Sequence, residues 1–111
     1  MDMKQQRFGI EIELTGIARK RGAEIAAAYF GTQSYYEGTY YDTYVALDSQ
    51  GREWKFMSDA SIKPERKEGK SRVAASDSYK TEMVSPICRY EDIETIQELV
   101  RKLREAGALA N

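Results

Sequence analysis

Glu11 and Glu13 stand one residue apart in the stretch Arg7-Phe8-Gly9-Ile10-Glu11-Ile12-Glu13-Leu14. Side chains of a strand alternate between faces, so Phe8, Ile10, Ile12 and Leu14 would share an apolar face while both carboxylates point to the other. Two strand residues separate the pair, roughly 6.5 to 7 Å along the strand. That is too far for sharing one proton, and it suits gripping one or two hard cations, with Mg²⁺ carrying a nucleotide's phosphates as the natural guest. Two further acids stand on strands or strand ends: Asp59 in Ser58-Asp59-Ala60-Ser61-Ile62 and Glu82 in Lys80-Thr81-Glu82-Met83-Val84-Ser85-Pro86. Should those strands be neighbours, the four carboxylates converge, and a wall of packed carboxylates stays ionised only when cations neutralise it. A half-solvated strand shows the same alternation with no chemistry attached.

Composition removes several alternatives. The chain of 111 residues contains no histidine, which excludes His-based zinc sites, a Ser-His-Asp triad and a Cys-His pair within it. Carboxylates, Lys, Arg and hydroxyls must do any chemistry. A net charge of −1 argues against a dedicated nucleic-acid binder. One cysteine, Cys88, cannot form an internal disulfide, and neither a membrane-length apolar run nor a signal-like segment is present. A cytoplasmic location is the expectation.

The elements that must position these acids follow from periodicity. After the first strand, Thr15 serves as expected N-cap for a helix from about Ile17 to Phe30, with Ala18, Gly22, Ile25, Ala26 and Tyr29 on one face and Gly31 as the left-handed stop. A tyrosine-dense stretch reads as strand from about Thr39 to Leu47. Asp48-Ser49-Gln50-Gly51 reads as a turn, and Arg52 to Met57 as the returning strand. Residues 63–77 are polar, lack a period and contain proline and glycine, which predicts a long, mobile, exposed loop. This loop carries five basic residues against three acidic ones, enough to touch phosphates and equally natural for a solvated segment. Tyr79 to Ser85 reads as a strand ended by Pro86. Glu91 to Ala106 reads as a helix with an apolar stripe of Ile93, Ile96, Leu99, Val100 and Leu103, acids at its start, bases at its end and Gly107 after it. This order predicts a single α+β domain over residues 1–111: a mainly antiparallel sheet of about four strands with two helices on one face.

The succession FGIEIELTG, YVALDSQGREWKFMSDASI, YKTEMVSPI and LREAGALAN resembles the amidoligase family, carboxylate-amine ligases related to glutamine synthetase and glutamate-cysteine ligase. Four ordered motifs across residues 7–111 are far more specific than one Glu-x-Glu. The resemblance implies a glutamine-synthetase-like catalytic domain in which ATP phosphorylates a carboxylate and an amine attacks the acyl phosphate, giving an amide or isopeptide bond. It implies Glu11, Glu13 and Glu82 as ligands of Mg²⁺ or Mn²⁺, and Asp59 as the residue that binds the amine or substrate or helps to order a cation. Arg7, at the strand's beginning, is the candidate for a phosphate of the nucleotide. Family members continue into a strand with a Gly-x-His-x-His motif. The expectation is that this chain is the amino-terminal part of such a domain, inactive by itself. The alternative is a non-catalytic assembly module that associates through an uncovered sheet edge.

Overall fold

A computed structural model describes residues 5–111. The alternating stretch forms β1 (Glu11–Thr15), followed by α1 (Arg19–Phe30), β2 (Ser34–Gly38), β3 (Thr43–Leu47) and β4 (Glu53–Met57). Then come β5 (Glu65–Glu68), β6 (Ser71–Ala74), β7 (Thr81–Val84), α2 (Ile93–Glu105) and β8 (Leu109–Ala110). Among the described residues six strands make one sheet in the order β2-β3-β4-β7-β1-β8, all neighbours antiparallel, and β5 pairs only with β6.

The sheet has six strands where the sequence suggests about four. One added strand is β2, hidden in the tyrosine-dense stretch: it ends on Gly38, and Thr39 to Asp42 turn the chain back, both of those end residues having positive φ. The other is β8, whose two residues pair with Leu14 and Thr15. The expected long loop is also corrected, because Glu65–Ala74 close a hairpin around Gly69. Both faces of that hairpin are largely solvated, so its side chains show no apolar alternation from which strands can be read.

The helices take one face of the sheet. Trp54, Phe56 and Met83 are wholly buried and form one core with Ala23 and Ala26 of α1 and Leu99 and Leu103 of α2. Phe8, Ile10, Ile12 and Leu14 all join this core, as strand alternation requires. Gly22 permits the close approach of α1, since a Cβ there would lie 2.8 Å from Phe56 Cδ2. The expected face of α1 rotates slightly: Arg19, Ala23 and Ala27 are buried along with Gly22 and Ala26. Ile93 of the predicted α2 stripe is exposed.

Thr15 does not cap α1. It belongs to β1, where its hydroxyl donates to Glu65 O at 2.9 Å and accepts from Glu65 N at 2.6 Å, fixing the base of the β5–β6 hairpin. The next residue, Gly16, has φ +79 and faces Gly107, whose carbonyl oxygen a Cβ at Gly16 would strike. Gly16→Ala is therefore expected to cost about 2–3 kcal/mol, combining left-handed strain with a backbone clash. Urea unfolding measures this, and a loss below about 0.5 kcal/mol would show that the loop accommodates the methyl.

Candidate active site

Register decides which acids meet. Glu13 lies directly opposite Glu82 on β7, Glu11 lies opposite Val84, and Glu82 is also paired with Met57 of β4. All these side chains occupy the face that the helices leave open, because their neighbours Ile12, Phe56 and Met83 turn into the core. Like charges directly opposite on antiparallel strands are unfavourable, so the Glu13–Glu82 register is an anomaly for a purely structural sheet. Asp59 enters from the segment after β4, where its Oδ1 accepts from Ser61 N at 2.9 Å and from Ser61 Oγ at 2.8 Å. Three separate segments thus deliver four carboxylates to one region.

Their electrostatics record the crowding. Glu82 is half-buried, and its carboxyl is pushed from 4.5 up to about 7 by desolvation, by a hydrogen bond to Glu11, and by the charges of Glu11, Asp59 and Glu13. Asp59 is held below the usual carboxylate range, chiefly by the hydrogen bonds that Ser61 N–H and O–H donate, with Glu13 also in hydrogen-bond reach. Lys55 shares the face, opposite Val84, yet its ammonium is engaged by Glu37 at 3.6 Å and Glu53 at 3.9 Å. Asn111 Nδ2 donates to Glu13 Oε2 at 3.2 Å.

A shallow cavity of about 510 Å³ lies over this region, lined by Glu11, Asp59 and Glu82 together with Tyr41, Met57, Ser58, Ala60 and Val84. Glu13 stands beside the cavity and not in its lining. Arg7 is elsewhere, in a separate cavity of about 590 Å³ with Arg52, Arg89, Ile87 and Asp92. The structure therefore brings Glu11, Glu13, Asp59 and Glu82 together and leaves Arg7 apart. Sequence reasoning missed Tyr41, which lines the same cavity; its only signal was membership of a tyrosine-dense stretch with many equivalent rings.

The donor set is all oxygen, which matches hard cations such as Mg²⁺ and Mn²⁺. Among the described residues no group of three or more His, Cys, Asp or Glu side chains is arranged to hold a metal ion as it stands. The carboxylates meet instead in pairs, Glu82 with Glu11 and Asp59 with Glu13. Among the described residues no helix is long and apolar enough to cross a membrane.

The antiparallel sheet is thus sheathed by helices on one face and carries an acid-rimmed cavity on the other. The chain belongs to the family described as "Putative amidoligase enzyme", which matches residues 4–111, so the resemblance carried by the four motifs holds over nearly the whole chain. A search of curated proteins and a search of solved structures each found no match. Membership of this family is consistent with a ligase-like role.

Proposed function

We propose that the open sheet face is the carboxylate side of a carboxylate-amine ligase site, using ATP with Mg²⁺ or Mn²⁺, within a glutamine-synthetase-like domain. The observation that carries the reading is the gathering of Glu11, Glu13, Asp59 and Glu82 from separate segments, with no ion pair to any of the four among the described residues. Glu11, Glu82 and Glu13 would hold the cation, and small rotations of these long side chains are enough to turn pairs into a common ligand set. The bound cation would supply charge neutralisation at the phosphoryl group transferred to the substrate acid.

The chain's own groups have distinct tasks in this reading. Asp59, oriented by Ser61, accepts a hydrogen bond from the incoming amine. Glu82, on β7 between β1 and β4, would bring a ligand to the cation from the strand next to Glu11 and Glu13. Arg7, a cavity away, is suited to an anionic group at the far end of a substrate or nucleotide. The substrates are small molecules or peptides bearing a carboxylate and an amine, in keeping with the family.

Mn²⁺ titration followed by paramagnetic line broadening tests the proposal. Resonances of Glu11, Glu13 and Glu82 should broaden together, and Glu11→Gln should weaken the binding at least about tenfold, because a charged ligand is lost from a small donor set. Broadening confined to scattered surface carboxylates would overturn it. That result would favour the assembly alternative, for which the outer edge of β2 and the exposed Tyr35 and Tyr36 speak.

A further inference from the structure

Arg7 and Arg89 are set against each other by the backbone. Phe8 and Cys88 exchange both backbone hydrogen bonds, at 3.0 and 2.7 Å, in an antiparallel bridge beyond the end of the β1–β7 ladder. Antiparallel geometry then places Arg7 directly opposite Arg89. Phe8 and Cys88 turn into the core, so by alternation both arginines leave on the open side. Like charges directly opposite are unfavourable, and among the described residues neither guanidinium is in an ion pair. Their neighbours do not relieve this. Asp92 feels the charge of Arg89, but its oxygens already accept from Arg52 at 3.0 and 2.8 Å and from Arg89 N at 2.8 Å. Glu91 lines the same cavity and sets one negative charge against the two positive ones.

This arginine cavity communicates with the acids. A third cavity, of about 500 Å³, shares Arg52 and Ile87 with it and Val84 with the acid-rimmed one. Val84, Pro86 and Ile87 line that middle cavity, Ile87 being 68% exposed, and Glu53 and Lys55 flank it as an ion pair at 3.9 Å. A track therefore runs along the open side from the carboxylates, past an apolar stretch, to the two arginines.

Arg7 stands four strand residues before Glu11, roughly 13 Å along the strand, and side chains of a strand stand about perpendicular to the sheet. A cation at Glu11 keeps its phosphates beside it, at one end of the track. Whatever meets the arginines is then the remote end of a longer molecule. Extended chain spans about 3.5 Å per residue, so a free amino acid covers one end and about three peptide residues cover both. Guanidinium groups pair best with a carboxylate through parallel N–H donors. We propose that Arg7 and Arg89 hold the terminal carboxylate of a short acidic peptide, whose chain crosses Val84, Pro86 and Ile87 and whose side-chain carboxyl lies at the cation end. This rests on the ligase reading and names its acid substrate.

Titration of the chain with acetyl-glutamyl-alanyl-alanine in the presence of Mg²⁺ tests this by nuclear magnetic resonance. Saturable shifts are expected together in the Nε–H groups of Arg7 and Arg89 and in the methyls of Val84 and Ile87. The same peptide ending in a carboxamide, and free glutamate, should each bind at least about tenfold more weakly. Arg89→Gln should weaken peptide binding about tenfold, and Glu91→Gln should strengthen it about two- to threefold by removing the opposing charge. Equal binding of the carboxamide, or unchanged binding by Arg89→Gln, would overturn the proposal. Tripolyphosphate that occupies the two arginines more tightly than the peptide would overturn it too, assigning them to a nucleotide. The Mn²⁺ titration separates this from the ligase reading. Broadening at Glu11, Glu13 and Glu82 without a peptide response removes the peptide track alone. Peptide binding in a chain whose Glu11 and Glu82 ignore Mn²⁺ keeps the track and removes the ligase reading.

Discussion

Replacing Asp48 with alanine is expected to cost about 3–5 kcal/mol of stability, the largest single effect in the β3–β4 region. Asp48 is 5% exposed and accepts four hydrogen bonds: from Gln50 N and Arg52 N at 2.9 Å each, from Arg52 Nε at 2.8 Å and from Trp54 Nε1 at 3.0 Å. Arg52 continues outward to Asp92, at 3.0 and 2.8 Å, and Asp92 Oδ2 accepts from Arg89 N at 2.8 Å. One chain of charge thus fastens the turn, the buried indole and the start of α2. Alanine leaves the Trp54 N–H without an acceptor in the core. Asparagine should recover less than half of the loss, because its amide NH₂ confronts donors.

The same network sets behaviour in acid. Burial opposes ionisation of Asp48, yet the hydrogen bonds from Trp54, Arg52 and Gln50 outweigh it and hold its carboxyl below the usual range. The Arg52 guanidinium does likewise for Asp92. Both groups bind protons more weakly when folded, so their contribution is complete above the ordinary carboxylate value near 3.9 and disappears as pH falls through the depressed folded values. Urea midpoints from pH 3 to 7 should show this steepening in the parent and a flatter acid limb in Asp48→Ala. An Asp48→Ala chain within about 1 kcal/mol of the parent would show that water replaces the lost acceptor.

How far the sequence reveals the fold depends on whether each element faces water and core differently. β1 is legible because Ile10, Ile12 and Leu14 alternate with Glu11 and Glu13, and α2 because Leu99 and Leu103 recur at helical spacing. β5 and β6 are not legible, since water lies on both sides of them. β2 is obscured because an edge strand with exposed Tyr35 and Tyr36 looks like the turn that follows it. Pairings across long separations, such as Arg19 with Asp42 and Asp59 with Glu13, leave no local trace. The candidate site divides along the same line. Two glutamates on one strand face can be read from period 2, and the placing of Glu82 opposite Glu13 needs the β1–β7 register. Tyr41 enters only through the turn after Gly38, whose further left-handed residues, Thr39 and Asp42, are not glycines.

Glu82→Gln is expected to make the metal-free chain more stable above neutral pH, on the order of 1–2 kcal/mol at pH 8 after allowance for solvent screening. In the folded chain the Glu82 carboxyl titrates at about 7, against an ordinary 4.5, because it is desolvated, hydrogen-bonded to Glu11 and surrounded by the charges of Glu11, Asp59 and Glu13. Between those two values the folded chain keeps a proton that the unfolded chain releases. Stability must therefore fall as pH rises through that window, which is opposite in sign to the Asp48 and Asp92 effect. A glutamine cannot ionise, so its profile should coincide with the parent near pH 4 and lie above it at pH 8. Mn²⁺ reverses the ranking under the ligase reading: it should stabilise the parent at pH 8 and leave Glu82→Gln little changed, since a neutral amide is a poor replacement for a carboxylate ligand. Parallel pH profiles for the two chains would mean that Glu82 is not crowded by its neighbours. With that crowding gone, the strongest physical reason for placing a cation on this face would go too.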